Sequence, residues 1–191
     1  MTATPAQRKP TISTHPIVAL TGFMGSGKTS TGQALADLLG WALVDLDSAI
    51  EAKEGTTIRN LFEKRGEAVF RALEHTTLRR CLDNCVGPTV IALGGGAFAQ
   101  TDNADLLRDR RVRTVFLQTP VEEMLQRCCV GESSSPENTR PLAVDPEAFR
   151  TLYERRLPQY RFAEVTVHTA GKSIAEVANE IAARLGLEPS R

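Results

Sequence analysis

The sequence predicts a single α/β domain of three layers, in which helices cover both faces of a five-stranded parallel sheet. Short apolar or β-branched runs alternate with helix-length stretches, which is the pattern of βα units. Glycine, proline and capping residues mark the ends of those stretches. The 191 residues, 41% of them hydrophobic, are enough for one sizeable core but few for two.

Five short runs have the composition of buried strands, because valine, isoleucine, leucine and threonine fit a sheet surface. In chain order the predicted strands are 17–20, 42–44, 89–93, 114–117 and 165–167. The domain is expected to cover residues 16–187. Residues 1–15 are polar and rich in Thr, Pro and Ala, and they predict a disordered N-terminal tail.

Local signals predict where the helices between these strands begin and end. Gly40 and Gly66 follow apolar-periodic stretches and suit the left-handed residue that closes a helix. Two capping boxes and one Asp-Pro pair predict helix starts: TPVE at 119–122, SIAE at 173–176 and Asp145-Pro146. Pro120 suits the first helical position, whereas Pro158 predicts a helix stop.

A mobile lid is expected at about residues 130–142. The segment 131–141, GESSSPENTRP, has no apolar residue and lies between two predicted helices. Loops of this length in a compact domain are usually functional or disordered. The segment is either an active-site lid that carries Arg140 near its far end, or a tolerated insertion.

Charge and hydropathy restrict the class of partner. Lys+Arg and Asp+Glu both number 23, so the chain has no overall basic field for nucleic acid or anionic lipid. No run resembles a signal sequence or approaches the length of a membrane span. The four cysteines and three histidines lack redox or metal-ligand spacing. We therefore expect a soluble, cytoplasmic protein with a small-molecule partner.

The octet GFMGSGKT at 22–29 is a complete G-x-x-x-x-G-K-[ST] phosphate-binding loop, or P-loop. It follows the strand 17–20 and opens a helical stretch at 29–39. The glycines let backbone N–H groups turn toward a β-phosphate, where the helix start adds partial positive charge. Lys28 supplies a mobile charge to the β- and γ-phosphates, and the Thr29 hydroxyl coordinates Mg²⁺.

The P-loop alone does not distinguish GTPases, ATPases and small-molecule kinases. A nucleotide-binding switch would carry a guanine-reading N-K-x-D after a later strand, and this chain has none. Its third predicted strand instead ends in Gly94-Gly95-Gly96. There the missing side chains either let a ligand touch the backbone or give a flexible turn.

Asp45 and Asp47 follow the second predicted strand, at the sheet edge where open α/β folds bind ligands. Alternation along an extended backbone would place both carboxylates on the same side. One would then support a Mg²⁺ shell, while the other accepts a hydrogen bond and the proton of a substrate hydroxyl. Alternatively, these acids cap the next helix, with Asp47 or Ser48 at the cap position.

Arg71 and Glu74 lie three residues apart on a long predicted helix and are therefore neighbours on its surface. The carboxylate would orient the guanidinium and leave its other edge for a bidentate contact with an anionic substrate. The alternative is an ordinary surface salt bridge.

Taken in order, these features resemble the shikimate kinase family, over about residues 15–185. The matching pieces are GFMGSGKTSTG, the D-x-D of DLDSAIE, GTTIRNLFEKRGEAVFRALE, the LGGG turn, the TRPLA loop and YERRLPQYRFAE. Each piece except the P-loop is a weak signal by itself, but six pieces in the same order are highly specific for the family.

The resemblance implies a P-loop kinase fold, related to nucleoside monophosphate kinases, with a mobile lid. The implied reaction is transfer of the γ-phosphoryl group of ATP, with Mg²⁺, to the 3-hydroxyl of shikimate, in the chorismate and aromatic amino-acid pathway. A monomer is the family expectation. The alternatives are a related sugar-acid kinase of the gluconate type and a kinase-like protein that binds nucleotide without turnover.

The resemblance also implies roles for individual residues on the acceptor side. Asp47 would bind the hydroxyls and serve as base, and Asp45 would reach Mg²⁺ through water, beside direct coordination by Thr29. The remaining acceptor-side roles are a carboxylate clamp of Arg71 and Arg156, a backbone contact from Gly95, orientation of Arg71 by Glu74, and a pocket wall of Phe62 and Phe70.

On the nucleotide side, the implied ATP contacts are Gly25, Ser26, Gly27, Lys28, Thr29, Ser30, Arg127, Arg140 and Lys172. Arg127 would stack on adenine, Lys172 would contact the base, and Arg140 would close over the phosphates. The chain departs from the family in three places, one of which is Met24, at a P-loop position whose side chain tolerates variation. Its lid is longer and richer in serine, and the loop 169–173 lacks a proline that is often found there.

Overall fold

The computed structural model describes residues 15–130 and 145–190. In chain order its elements are β1 Ile17–Thr21, α1 Lys28–Leu39, β2 Ala42–Asp45, α2 Leu46–Glu54, α3 Ile58–Asp83, β3 Thr89–Ala92, α4 Thr101–Asp109, β4 Arg113–Gln118, α5 Val121–Val130, α6 Pro146–Tyr160, β5 Val165–His168 and α7 Ile174–Leu185. The predicted α/β class and all five strands are confirmed, with strand ends shifted by one residue at most.

The sheet is parallel throughout and has the order β2-β3-β1-β4-β5. β1 lies in the centre, where Val18 pairs with Val90 of β3 and with Arg113 of β4. Every residue of β1 is buried, as expected for a continuous apolar run covered on both faces. Because the strands are parallel, their carboxyl ends meet at one edge, and this edge carries the candidate site.

Two hydrophobic cores, one on each face of the sheet, account for the three layers. One core contains side chains of α2 to α6, and the other contains those of α1 and α7. Leu35 of α1 and Ile181 of α7 are fully buried in the second core. Burial of each such side chain stabilises the fold by about 1.5–3 kcal/mol, so α1 and α7 are held firmly against one face of the sheet.

Several predicted helix ends are confirmed. Gly40 closes α1 in the left-handed region, with φ 66°. Asp145 caps α6 through its carboxylate, with proline at the first helical position. Ser173 and Glu176 form a full capping box at the start of α7. These signals are local, so the sequence is sufficient to predict them.

Two other predictions of helix ends are wrong. Pro158 lies inside α6, which continues to Tyr160, because a proline in the last turn removes only one backbone donor. Gly66, in contrast, ends the first of two helical segments of α3 with a positive φ of 78° and ψ of 168°, as predicted, and the second segment begins directly after it. α5 begins at Val121, one residue after the predicted start at Pro120, and the Thr119 hydroxyl lies 2.8 Å from that of Thr169.

Two predicted segments fall outside the described residues. They are positions 1–14 of the N-terminal tail and positions 131–142 of the lid, with Arg140. Among the helices that the structure describes, none is both long and apolar enough to cross a membrane.

Candidate active site

The P-loop connects β1 to α1 and depends on glycines with positive φ. Gly22, Gly25 and Gly27 have φ of 149°, 77° and 85°. A Cβ on Gly22 would lie 2.8 Å from Ser26 Oγ, and one on Gly25 would lie 2.7 Å from the Met124 carbonyl oxygen. A larger residue would therefore be both strained and crowded. Gly27 is the N-cap of α1, so the helix N-terminus faces the loop.

Lys28 and Thr29 occupy the first turn of α1, next to the exposed Ser30. The Lys28 ammonium donates to the carbonyl oxygens of Gly22 (3.0 Å) and Phe23 (2.9 Å), so it lies across the loop. Ser26 is buried within the loop. These contacts concentrate donors and positive charge at one point, as a polyphosphate requires.

The Thr29 hydroxyl donates to Asp45 Oδ2 at 2.7 Å, which joins the P-loop to the end of β2. Mg²⁺ prefers oxygen ligands, keeps several waters and needs only one or two protein groups. The described residues hold no cluster of three or more His, Cys, Asp or Glu that would bind a metal. The pair of Thr29 and Asp45 fits the more open, water-rich coordination of Mg²⁺.

The predicted arrangement of Asp45 and Asp47 is wrong in part. β2 ends at Asp45, and Asp47 lies in the first turn of α2, so strand alternation does not relate the two carboxylates. The Asp45 carboxylate accepts the backbone N–H of Ser48 at 3.0 Å while also accepting the Thr29 hydroxyl. Asp45 therefore caps α2, in place of the predicted Asp47 or Ser48, and contacts the P-loop as well.

The turn Gly94–Gly96 follows β3 and brings the charged groups of the site together. A Cβ on Gly94 would lie 2.6 Å from Asp47 Oδ1 and 2.8 Å from Glu74 Oε1, and one on Gly96 would lie 2.7 Å from Arg71 Nη2. Real Cβ atoms are not found at such distances. The turn is glycine because two carboxylates and a guanidinium pack directly on its backbone, so it is a tightly packed turn, and the predicted contact with a ligand stays a prediction.

Arg71 lies between two carboxylates on α3. Its Nη1 donates to Glu74 Oε2 at 2.8 Å, and the Glu74 side chain is only 1% exposed, so the surface salt-bridge interpretation is wrong. The guanidinium lies 5.2 Å and 5.8 Å from the ring centroids of Phe70 and Phe62, the two residues predicted to form a pocket wall. The other edge, which was predicted to bind an anionic substrate, donates to Glu67 in this structure.

Burial, the largest influence, raises the pKa of Glu74 above its ordinary value. The charge of Arg71 opposes this rise, and the nearby Asp47 carboxylate adds to it. Within the described part of the chain, Glu74 Oε1 is buried without a hydrogen-bond partner. The acceptor side therefore contains two coupled carboxylates whose charge is balanced by arginine.

Arg156 and Tyr160 reach the glycine turn from α6. Arg156 Nη1 donates to the Gly95 carbonyl oxygen at 3.4 Å, and the Tyr160 hydroxyl donates to the same oxygen. Burial raises the pKa of Tyr160 to about 12, so its hydroxyl keeps the donated proton. Tyr160 is not among the residues predicted from the sequence, although its spacing of four residues from Arg156 places both on one helix face.

Arg127 and Lys172, the two residues predicted to contact the adenine base, lie in different places. Arg127 Nη1 donates to the Gly25 carbonyl oxygen at 3.3 Å, so this side chain lies over the P-loop. The Lys172 ammonium donates to the His168 carbonyl oxygen at 2.9 Å and to Glu180 at 2.5 Å, which holds it against α7. The Thr119 hydroxyl, 2.8 Å from that of Thr169, links the strand edge to the last loop, a contact that the sequence did not reveal.

The fold and this site define a P-loop kinase, in which the phosphate loop faces a charged acceptor pocket across Gly95. A family model for shikimate kinase matches residues 24–186. The shikimate kinase of Halorhodospira halophila is 41% identical, with 91% of this chain and 95% of the relative covered. The chain belongs to the shikimate kinase family, as the sequence predicted.

Two solved structures support the same assignment. A shikimate kinase from Acinetobacter baumannii, in complex with shikimate, is 35% identical with a TM-score of 0.77, covering 91% of this chain and 94% of that one. A shikimate kinase from Bacteroides thetaiotaomicron is 30% identical with a TM-score of 0.79, covering 90% and 99%. The similarity thus extends over nearly the whole of each chain.

Proposed function

We propose that this chain transfers the γ-phosphoryl group of ATP to the 3-hydroxyl of shikimate, giving shikimate 3-phosphate and ADP. The observation that carries the proposal is the convergence of Asp47, Arg71 and Arg156 on the turn Gly94–Gly96. That turn packs on the P-loop, since a Cβ on Gly95 would lie 3.3 Å from the backbone nitrogen of Met24. Acceptor groups and phosphate groups are therefore neighbours.

On the donor side, the N–H groups of Gly25, Ser26 and Gly27 and the helix start hold the β-phosphate. Lys28 moves from the loop carbonyls to the β- and γ-phosphates, a short shift for a flexible side chain. Ser30, Arg127 and Lys172 complete the proposed nucleotide contacts. Arg127 has the stronger structural support, because it already contacts Gly25, whereas Lys172 must first leave Glu180.

Thr29 would hold Mg²⁺ directly, and Asp45 would hold it through a water molecule. When bound, the ion neutralises charge on the phosphate oxygens. The hydrogen bond between Thr29 and Asp45 keeps both oxygen groups oriented at this position. In the proposal, Asp45 acts only through this shell and does not touch the acceptor.

On the acceptor side, a carboxylated ring with several hydroxyls matches the pocket. Arg71 and Arg156 would clamp the carboxylate, and the faces of Phe62 and Phe70 would contact the ring carbons. Glu74 holds Arg71 from the buried side. The Gly95 backbone lies at the junction of the two substrates, where its carbonyl is fixed by α6.

The reaction then needs little more than alignment. As the 3-hydroxyl oxygen bonds to the γ-phosphorus, the bond from that phosphorus to the β-bridging oxygen breaks and ADP leaves. Asp47 accepts the hydroxyl proton. Positive charge from Lys28, and from Arg140 of the predicted lid, stabilises the transferring group. Closure of residues 130–142 would exclude water from the site.

The proposal includes a monomeric, cytoplasmic enzyme with one domain at 16–187. A cytoplasmic location accords with the use of ATP, and a balanced count of 23 basic and 23 acidic residues accords with small-molecule partners. Size-exclusion chromatography with light scattering measures the assembly state. A mass near 20.8 kDa is expected, and about twice that mass would indicate a dimer.

The test is ADP release from MgATP with shikimate, gluconate or a nucleoside monophosphate offered separately. We expect ADP release only when shikimate is the acceptor. Release with gluconate alone would replace the proposal by the sugar-acid kinase alternative, and no release with any acceptor would indicate nucleotide binding without turnover. The Lys28→Ala variant is the control for a contaminating kinase, since it should be inactive with every acceptor.

A further inference from the structure

The outer edge of Arg71 is bound by a second carboxylate, that of Glu67. Arg71 Nη2 and Nε donate to Glu67 Oε1 at 3.2 Å and 3.3 Å. Glu67 follows the break of α3 at Gly66 and precedes Arg71 by one helical turn. The Glu67 side chain is 63% exposed.

The two carboxylates that contact Arg71 differ in burial and in the length of their contacts. Glu74 is 1% exposed and lies 2.8 Å from Arg71 Nη1, so it is part of the packed interior. Glu67 is held by longer contacts on the solvent side, where ion pairs are weak and easily exchanged. Its edge of the guanidinium is the one that Glu74 leaves for an incoming carboxylate.

We infer that Glu67 is an internal competitor of the substrate, which takes the place of the substrate carboxylate on Arg71 and is displaced by it. The inference rests on the proposed function, because it assumes an acceptor that binds Arg71 through a carboxylate. An acceptor with a carboxylate exchanges one ion pair for another. A neutral polyol has no carboxylate to displace Glu67, so Glu67 lowers the affinity for anionic acceptors and leaves the affinity for neutral ones unchanged.

The test uses two substitutions that separate contact from charge. Glu67→Gln removes the charge, whereas Glu67→Asp keeps the charge but draws the carboxylate back by one methylene from Arg71, which Glu74 holds in place. Both variants should lower the KM for shikimate about two- to fivefold, the range of one exposed ion pair. The kcat and the KM for ATP should stay at the wild-type values.

Glu63→Gln is the matched control. Glu63 pairs with Arg59 at 2.8 Å with the same spacing on the same helix, and its side chain is 52% exposed. Its substitution removes an equivalent charge away from Arg71 and should leave the KM for shikimate unchanged. The methyl ester of shikimate, a neutral acceptor, should have the same KM with the Glu67→Gln variant as with the wild type.

Three results would overturn the inference. A higher KM for shikimate in Glu67→Gln would show that Glu67 orients Arg71 for binding. A wild-type KM in Glu67→Asp beside a lowered one in Glu67→Gln would assign the effect to charge at a distance. An equal fall in the KM for the methyl ester in Glu67→Gln would show that the effect does not depend on the substrate carboxylate. Wild-type protein that releases no ADP with shikimate would instead overturn the proposed function itself.

Discussion

Replacing Tyr160 by phenylalanine removes one hydroxyl from the centre of the proposed acceptor site. The ring is fully buried and stacks on Phe116 at 5.3 Å and 22°, and phenylalanine keeps that packing. The hydrogen bond to the Gly95 carbonyl oxygen is lost, which leaves that oxygen with Arg156 Nη1 at 3.4 Å. We expect the free energy of unfolding to fall by about 1–2 kcal/mol.

The same change should affect one substrate more than the other. Without the Tyr160 hydroxyl, the Gly95 carbonyl and Arg156, which donates to it, are held less firmly in position. The KM for shikimate should therefore rise about three- to tenfold, the equivalent of one hydrogen bond. The KM for ATP should not change, because the P-loop keeps its own contacts. The pKa of Tyr160, about 12, keeps the wild-type hydroxyl protonated, so the difference should persist from pH 6 to 9.

Urea unfolding and steady-state kinetics measure the two effects. Tyr153→Phe is the matched control, since the chain has two tyrosines and Tyr153 lies on the same helix with 8% exposure, packed on Phe23. It should leave the KM for shikimate unchanged. A Tyr160→Phe variant with wild-type KM for shikimate would refute the role of the Gly95 contact.

Three further predictions concern the same pocket. Asp47→Asn should abolish turnover while calorimetry still detects ATP binding, and near-normal turnover would exclude Asp47 as the base. Gly96→Ala should raise the KM for shikimate by about tenfold or more, because its Cβ would lie 2.7 Å from Arg71 Nη2, whereas Gly87→Ala, with open space around it, should not. The pKa of folded Glu74 lies above its ordinary 4.5, so its contribution to stability is complete below that value and is lost as pH rises through the folded pKa. Urea unfolding measured from below pH 4.5 to above the folded pKa of Glu74 should show this loss of unfolding free energy in the wild type and not in Glu74→Gln. Parallel plots of unfolding free energy against pH for the two proteins would contradict the prediction.

The fold could be predicted because its signals are local or periodic. The central strand is a continuous apolar run, and the P-loop has fixed spacing between a strand and a helix. Capping at Ser173 depends on residues within one turn. Pro158 misled the prediction because the effect of a proline depends on how much helix remains after it, which is a tertiary outcome.

The site could be predicted only in part, because its geometry depends on chain turns and long-range contacts. The chain turns into α2 directly after Asp45, which overrules strand alternation for Asp47. Glu67 reaches Arg71 after the break at Gly66, and Tyr160 reaches Gly95 across 65 positions. No local pattern fixes such contacts, although the spacing of Glu67 and Arg71 was visible in the sequence.

The most direct test of the central claim is to identify the phosphorylated product by ³¹P–¹H correlation NMR after incubation with MgATP and shikimate. We expect ADP and one new phosphate ester, with the phosphorus coupled to the proton on carbon 3 of shikimate. A phosphate on another hydroxyl would contradict the proposed placement of Asp47 beside the P-loop. Inorganic phosphate as the sole new phosphorus product besides ADP would contradict the acceptor site as a whole.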